Sequence, residues 1–357
     1  MEASPRDVCI VRLSSIGDVC HALAVVRALQ QLWPETRFTW VIGHVEAKLL
    51  GGIPDIEFVQ LRKSAGLRGL ATVRRALGNR RFDRLLLMQL SFRANLVSAL
   101  ARARRRLGYP RSRERELHGW FVRERIAEAP VTHVLDVLMG FAHACGAPPA
   151  PPRWDLPITD DARAYARGVI PDDAPPTLVI SPCSSHPLRN WRAERYARVA
   201  EHAVREHGWR VVLCGGPSPI EREMGHAIAA DAAVPLINTI GEDTLVELAA
   251  VLERATLLVS PDSGPAHIGT AVGTPVLGLY ACTDPHRSGP YDSIALSVNR
   301  HPEAAERFLD RPAASLRWGT KIEQPGVMDL IEVDDVIERL DAFAAGRFTR
   351  DTTEPVT

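Results

Sequence analysis

The chain has 357 residues, 46% of them hydrophobic and 24% charged, and its 43 basic and 43 acidic side chains cancel to a formal net charge of +0. A chain of this length outgrows a single hydrophobic core, so two domains are expected. The composition is that of a globular protein, and the lack of net charge excludes a global field that would draw the chain to nucleic acid or membrane.

The N-terminus lacks the long apolar core of a signal peptide and passes directly into a β-branched run, residues 8–13, that predicts a strand. A helix is predicted over 19–32, with Leu23, Val26 and Leu29 near one face. Strands over 37–42, 56–61 and 85–90 and a helix over 131–145 continue a β-α alternation. Prolines then cluster at 148, 149, 151, 152 and 157, and again at 171, 175 and 176. Proline resists both helix and sheet, so this stretch predicts an interdomain linker. The alternation restarts with strands over 177–181, 210–214, 236–240, 257–260 and 276–280. Helices over 193–207, 220–230, 245–254 and 266–272 lie between them, a last helix is predicted over 330–344, and a polar, mobile tail follows 346. The fold class is therefore α/β, with two doubly wound, Rossmann-like parallel-sheet domains facing each other across a cleft. The expected boundaries are 1–155, a linker at 156–176, 177–328, a closing helix within 329–346, and a tail at 347–357. Ligands are expected at the carboxyl ends of the strands.

No apolar run approaches the roughly 20 residues of a membrane span, so any membrane contact is expected to be peripheral. The six cysteines, at 9, 20, 145, 183, 214 and 282, form no C-x-x-C pair and sit mostly in apolar contexts. They read as reduced, buried thiols of a cytoplasmic protein.

Five segments have the residue types for chemistry. Ser14-Ser15-Ile16-Gly17-Asp18 joins the first strand to the first helix. Gly17 permits close approach, and Asp18 suits either a helix N-cap or a carboxylate that takes a proton from a hydroxyl. Ser260-Pro261-Asp262-Ser263-Gly264-Pro265-Ala266-His267 is a second strand-to-helix turn. Its free amides suit phosphate, Asp262 suits sugar hydroxyls and His267 a phosphate oxygen; a capped turn with a partly buried histidine is the plainer alternative. In the segment from Ser181 to Trp191, Ser184, Ser185 and Arg189 fit a diphosphate, while a solvated loop anchored by Trp191 fits equally. Gly215-Gly216-Pro217 with Glu221 suits a nucleotide ribose or an ordinary turn. The last is a run of arginines at 102, 104, 105, 106, 111, 113 and 115, joined in the same half by Arg62, Lys63 and Arg68. It reads as a solvated face or as a surface for an acidic acceptor or anionic lipid headgroups. Without interleaved aromatics, nucleic acid is not expected. The G-x-G-x-x-G fingerprint is missing, which disfavours a dinucleotide cofactor, and no clear D-x-D pair asks for a metal.

The string from Val11 through Asp18 to Val19 resembles the N-terminal signature of glycosyltransferase family 9. The string from Val259 through Asp262 and His267 to Gly269, with Tyr280-Ala281-Cys282-Thr283-Asp284-Pro285 after it, is similar to the family's C-terminal signature. The resemblance covers residues 7–345 and implies a GT-B fold whose first domain binds acceptor and whose second binds donor. The closing helix would pack back on the first domain. It implies an inverting transfer of heptose from ADP-heptose, a donor substrate, to the inner core of lipopolysaccharide, with no cofactor. Asp18 matches the catalytic base. Asp262 matches a contact to the donor sugar, and Ser263, Gly264 and His267 the diphosphate-binding helix start. Asp243 falls near the adenine contact, and Ser184, Ser185 and Glu221 belong to the donor side. Ser15, Gly17, Arg62, Lys63 and Arg111 are assigned to the acceptor, an acidic glycolipid at the cytoplasmic face of the inner membrane. Arg189 stands where the family usually has a lysine, so a planar fork replaces a point charge. Two alternatives are a GT-B enzyme acting on another nucleotide sugar, as a transferase or an epimerase, and a non-catalytic binder of a nucleotide sugar or glycolipid.

Overall fold

A computed structural model describes residues 4–128 and 133–348. The first two residues of the helix expected at 131 and the tail from 349 onward lie outside them. The chain divides into two compact units between Pro157 and Ile158.

The first unit runs β1 (Asp7–Val11), α1 (Ile16–Leu32), β2 (Arg37–Gly43), α2 (Ala47–Leu50), β3 (Ile56–Leu61), α3 (Gly66–Leu77), β4 (Arg81–Leu87), α4 (Phe92–Leu100), β5 (Arg102–Gly108), β6 (Glu124–Arg125) and α5 (Val134–Ala144). Its six strands pair in parallel in the order β3-β2-β1-β4-β5-β6. The second unit runs α6 (Asp160–Val169), β7 (Thr177–Ile180), α7 (Ala193–His207), β8 (Arg210–Leu213), α8 (Pro219–Asp231), β9 (Ile237–Asn238), α9 (Leu245–Arg254), β10 (Leu257–Pro261), α10 (Gly264–Ala271), β11 (Val276–Tyr280), α11 (Pro285–Ser288), β12 (Val298–Asn299), α12 (His301–Leu309) and α13 (Val333–Ala344). Its parallel sheet has the order β12-β11-β10-β7-β8-β9, the same winding in a second copy. Each sheet reverses its strand order once, between β1 and β4 and between β7 and β10. The crevices outside those carboxyl ends are where such sheets take ligands.

Burial explains why the central strands form. Val8 to Val11 and Leu85 to Leu87 are fully buried in the first unit, and Leu178 to Ile180 and Leu257 to Val259 in the second. Apolar runs of this kind suit a parallel sheet covered on both faces.

Three expectations change. The run Arg102–Gly108, read as a charged face, is a sheet strand paired with β4 through Phe82↔Ala103 and Leu86↔Leu107. Arginine stems can lie along a sheet while their heads find acceptors. Arg106 donates to the carbonyls of Ser98 and Ala101 at the end of α4 (3.0 and 2.5 Å), and Arg105 donates to Glu124 (2.6 Å). The region 156–176 is not a bare linker, because it carries α6. Thr159 caps that helix by accepting from the amide of Ala162 (3.2 Å), and its buried face, Ala162, Ala166 and Val169, recurs at helical spacing. α6 packs on α9, where Arg163 forks onto Glu253 (3.1 and 3.2 Å). Finally, α13 packs on α7, β11 and β12 of its own unit, with Val333, Val336 and Leu340 in that unit's core. Asp341 on this helix accepts from His202 and His207 of α7, each at 2.7 Å.

Candidate active site

In the first unit the β1–α1 turn is built around Asp18. The helix begins at Ile16, so Asp18 is its third residue and Ser15 its N-cap, one turn earlier than expected. The amide and hydroxyl of Ser15 both donate to Asp18 Oδ2 at 3.0 Å. The other oxygen, Oδ1, pairs with Arg12 Nη2 at 2.5 Å. Arg12 is buried and held by donation to the Met88 carbonyl, which also accepts from Tyr109 Oη (3.0 Å). Gln89 steadies the turn from the neighbouring strand end by accepting from the Leu13 amide (2.7 Å). Burial would raise the Asp18 pKa, but the Arg12 charge and the Ser15 donors outweigh it and hold the carboxyl below its ordinary value. Asp18 is therefore a carboxylate at neutral pH, and 35% of its side chain stays open to solvent.

The other acceptor candidates share this carboxyl edge but not one spot. Ser15 and Gly17 flank Asp18 after β1, Arg62 and Lys63 follow β3, and Arg111 follows β5. With strands about 4.8 Å apart, each basic group sits roughly 10 Å to one side of β1. Lys63 lies 3.9 Å from the buried Glu46 carboxylate, and Arg62 and Arg111 are exposed. Arg12 and Tyr109 escaped the sequence reading, although Arg12 lies inside the quoted motif. A cavity of about 700 Å³ lined by Arg27, Met139, Pro151 and Asp155, among others, lies at the opposite end of α1 and contains none of these residues.

In the second unit Arg189, Asp262, Ser263, Gly264 and His267 converge outside β7 and β10. Arg189 is held in a fork: Nε and Nη2 donate to Glu323 Oε1 (2.9 and 2.6 Å), while Nη1 lies 3.6 Å from Asp262. His267 Nε2 is 4.0 Å from the other Asp262 oxygen. Ser263 stands at the N-cap position of α10 and shares a hydrogen bond with Ser260 (2.8 Å), and Gly264 opens the helix with a backbone N–H beside Asp262, while Pro265 after it has none to give. Ser184 takes its place by backbone donation to Asn190 (2.7 Å), and its hydroxyl bonds the His186 carbonyl (3.0 Å). Ser185 is exposed. Trp191 is buried and donates to the Ile331 carbonyl (3.0 Å), so it anchors the loop.

Three members were missed: Glu323, Lys321 and Tyr280. Lys321 sits among Arg189, Glu323, Arg287 and Asp262, and burial together with the Arg189 charge holds its pKa down. The hydroxyls of Tyr280 and Thr283 are buried without a hydrogen-bond partner among the described residues. Tyr280 feels the charges of Asp262 and Arg189, which places an unused donor beside this cluster.

Glu221 shapes its turn by accepting from the Gly216 amide (2.8 Å) and the Ser218 hydroxyl (2.6 Å). Asp243 precedes the Thr244 cap of α9, and its Oδ2 is buried without a partner, as is Tyr165 Oη on α6. Burial, with Glu247, Glu242 and Glu221 adding to it, pushes the Asp243 carboxyl up to about 7. Its folded pKa thus exceeds its unfolded one, and stability is lost as pH rises from about 4 through 7. Asp243→Asn is accordingly expected to raise stability above pH 7 by up to about 4 kcal/mol and to change little below about pH 4. Urea midpoints recorded across that range test this, and equal gains at every pH would contradict it.

Two Rossmann-like domains, one presenting a carboxylate at its switch point and the other a cationic cradle at a helix start, define a GT-B glycosyltransferase. The chain belongs to glycosyltransferase family 9, the heptosyltransferases, whose sequence profile matches residues 70–315. It is 40% identical over 337 residues to the lipopolysaccharide core heptosyltransferase OpsX of Haemophilus influenzae, covering 94% of this chain and 96% of that one. Among solved structures it resembles a family 9 glycosyl transferase from Veillonella parvula (TM-score 0.78, 21% identity, 97% and 99% of the two chains). It also resembles the E. coli heptosyltransferase WaaC solved with ADP (TM-score 0.69, 23% identity, 82% and 92%). No helix among the described residues is long and apolar enough to cross a membrane.

Proposed function

We propose that the enzyme transfers heptose from ADP-L-glycero-D-manno-heptose to the lipopolysaccharide inner core, with inversion, and that Asp18 is the base. The observation that carries this is Asp18 itself, an ionised carboxylate fixed by Arg12 and Ser15 yet open to solvent at the first sheet's switch point. The name of the H. influenzae relative supports the donor and acceptor class. In the reaction the acceptor hydroxyl oxygen bonds to the anomeric carbon as the bond from that carbon to the diphosphate breaks. The proton passes to Asp18, and ADP leaves with the bonding electrons. The hydroxyl becomes acidic only as its new bond forms, so a carboxylate of low pKa suffices. Arg189, Lys321 and the amides at the start of α10 meet the charge growing on the leaving diphosphate. On this reading no metal or cofactor takes part, and the enzyme works at the cytoplasmic face of the inner membrane, in peripheral contact with it.

ADP release is the test, measured with ADP-heptose in the presence and absence of a lipopolysaccharide-core acceptor, with and without chelator. Acceptor-dependent release that ignores the chelator is expected. Turnover of a different nucleotide sugar with none of ADP-heptose would overturn the donor, and a loss in chelator would overturn the metal-free reading.

A further inference from the structure

Six large hydrophobic side chains are exposed among the described residues, and five belong to the first unit: Val45, Leu67, Phe92, Leu117 and Trp120. Leu67 and Trp120 are the extremes, each 83% exposed. All five follow the carboxyl end of a strand. Val45 follows β2, Leu67 opens α3 after β3, Phe92 opens α4 after β4, and Leu117 and Trp120 lie between β5 and β6.

Four of them stand on one connected base. α3 packs on α4. Asn95 of α4 donates to the Glu116 carbonyl (2.6 Å), and its own side-chain oxygen meets His118 Nδ1 (3.3 Å). His118 is buried and accepts from the Tyr109 amide through Nε2 (3.1 Å), which fixes Nδ1 as the protonated nitrogen. Glu116 and Leu117 both adopt left-handed backbone, at φ of 56° and 63°. A bulky residue there is strained, so the rigid base around His118 holds Leu117 in an unfavourable geometry while its side chain stays in water.

Each of these side chains except Val45 has basic neighbours within a few residues of it in the chain. Arg62, Lys63, Arg68, Arg93, Arg111 and Arg115 are all exposed along the same edge. Of the nearby acids, Glu114 accepts from Arg125 (2.7 Å), while Glu116 and Glu128 are exposed, Glu128 accepting from the amide and hydroxyl of Ser112.

We propose that this edge is a lipid-docking surface, with Leu67, Phe92, Leu117 and Trp120 entering the interfacial layer of an anionic bilayer and the neighbouring arginines binding its headgroups. Exposed apolar side chains, an indole among them, interspersed with arginine along one edge match both layers of such a surface. A second copy of the chain fits worse, because the same patch on both partners would set arginine against arginine. The proposal rests on the reading that the acceptor is membrane-anchored, and it makes the Asp18 edge of the first unit the side from which a glycolipid arrives.

Sedimentation with phosphatidylglycerol–phosphatidylcholine vesicles, and with phosphatidylcholine vesicles alone, tests it on the full chain. Wild type is expected to partition onto the anionic vesicles in a salt-sensitive way. Leu117→Ser/Trp120→Ser and Arg93→Glu are each expected to lower that partition about tenfold or more. Turnover of a delipidated core oligosaccharide should be unchanged in both, which shows that they fold. Wild-type indifference to anionic lipid, or variants that bind as wild type does, would overturn the proposal. So would a self-association that the serine variant abolishes, since the occupant would then be a second copy. Wild type that binds vesicles yet is inactive on every core acceptor would instead sink the heptosyl reading and leave the docking surface standing.

Discussion

Replacing Asp18 by asparagine is expected to lower turnover by roughly 10²- to 10⁴-fold, the contribution of a positioned general base, while ADP binding stays within about threefold. Asparagine keeps an oxygen for the two Ser15 donors, so the turn and the start of α1 should survive. What it loses is the proton acceptor and the charge facing Arg12. Because Arg12 is buried, the variant should also lose stability, by about 3 to 5 kcal/mol if the guanidinium stays unpaired. Thermal unfolding beside the kinetics separates the two effects, since a folded variant with intact ADP binding and no transfer isolates the chemical step. The pH profile adds a check. The Asp18 carboxyl is held below its ordinary value, so its contribution to activity and stability is present across neutrality and is lost only as pH falls through that depressed pKa. A variant retaining more than about a tenth of wild-type turnover would remove Asp18 as the base.

Much of this site was legible because it lies at punctuation between regular elements. A β-branched run, then small residues and glycine, then an apolar helix, locates Asp18 without any coordinates. The same logic locates Asp262 to His267. What it could not supply was the partner of each charge. Arg12 reads as one residue of a strand, and its role depends on Met88 and Tyr109, which arrive from β4 and from the end of β5. Glu323 and Lys321 lie in an irregular stretch with no periodicity, and Glu323 meets Arg189 across 134 residues of chain. The strand β5 was hidden for a related reason. Its alternation is carried by arginine, whose stem is apolar but whose letter reads as charge. Helix α6 was hidden by the prolines on both sides of it, although Thr159 and the two aspartates after it are an ordinary helix start.

Arg189 offers the second large effect. In this chain a carboxylate orients it. Glu323 takes Nε and Nη2, which leaves the Nη1 end directed toward Asp262 and the start of α10. A diphosphate placed there would receive charge-assisted hydrogen bonds from a group already fixed in direction. Arg189→Ala should therefore cost about 10²- to 10³-fold in kcat/KM and weaken ADP by a similar factor, because it also leaves Asp262 and Glu323 repelling the diphosphate. Arg189→Lys should recover the charge but not the fork, and so restore binding more than turnover. Glu323→Gln pulls the two roles apart. It removes a negative charge from the cradle, so ADP should bind several-fold more tightly, while a less firmly held Arg189 lowers kcat. Calorimetric ADP titration of the three variants decides the matter. Unchanged ADP affinity in Arg189→Ala would place the diphosphate elsewhere, and weaker binding in Glu323→Gln would mean that orientation outweighs charge even in the ground state.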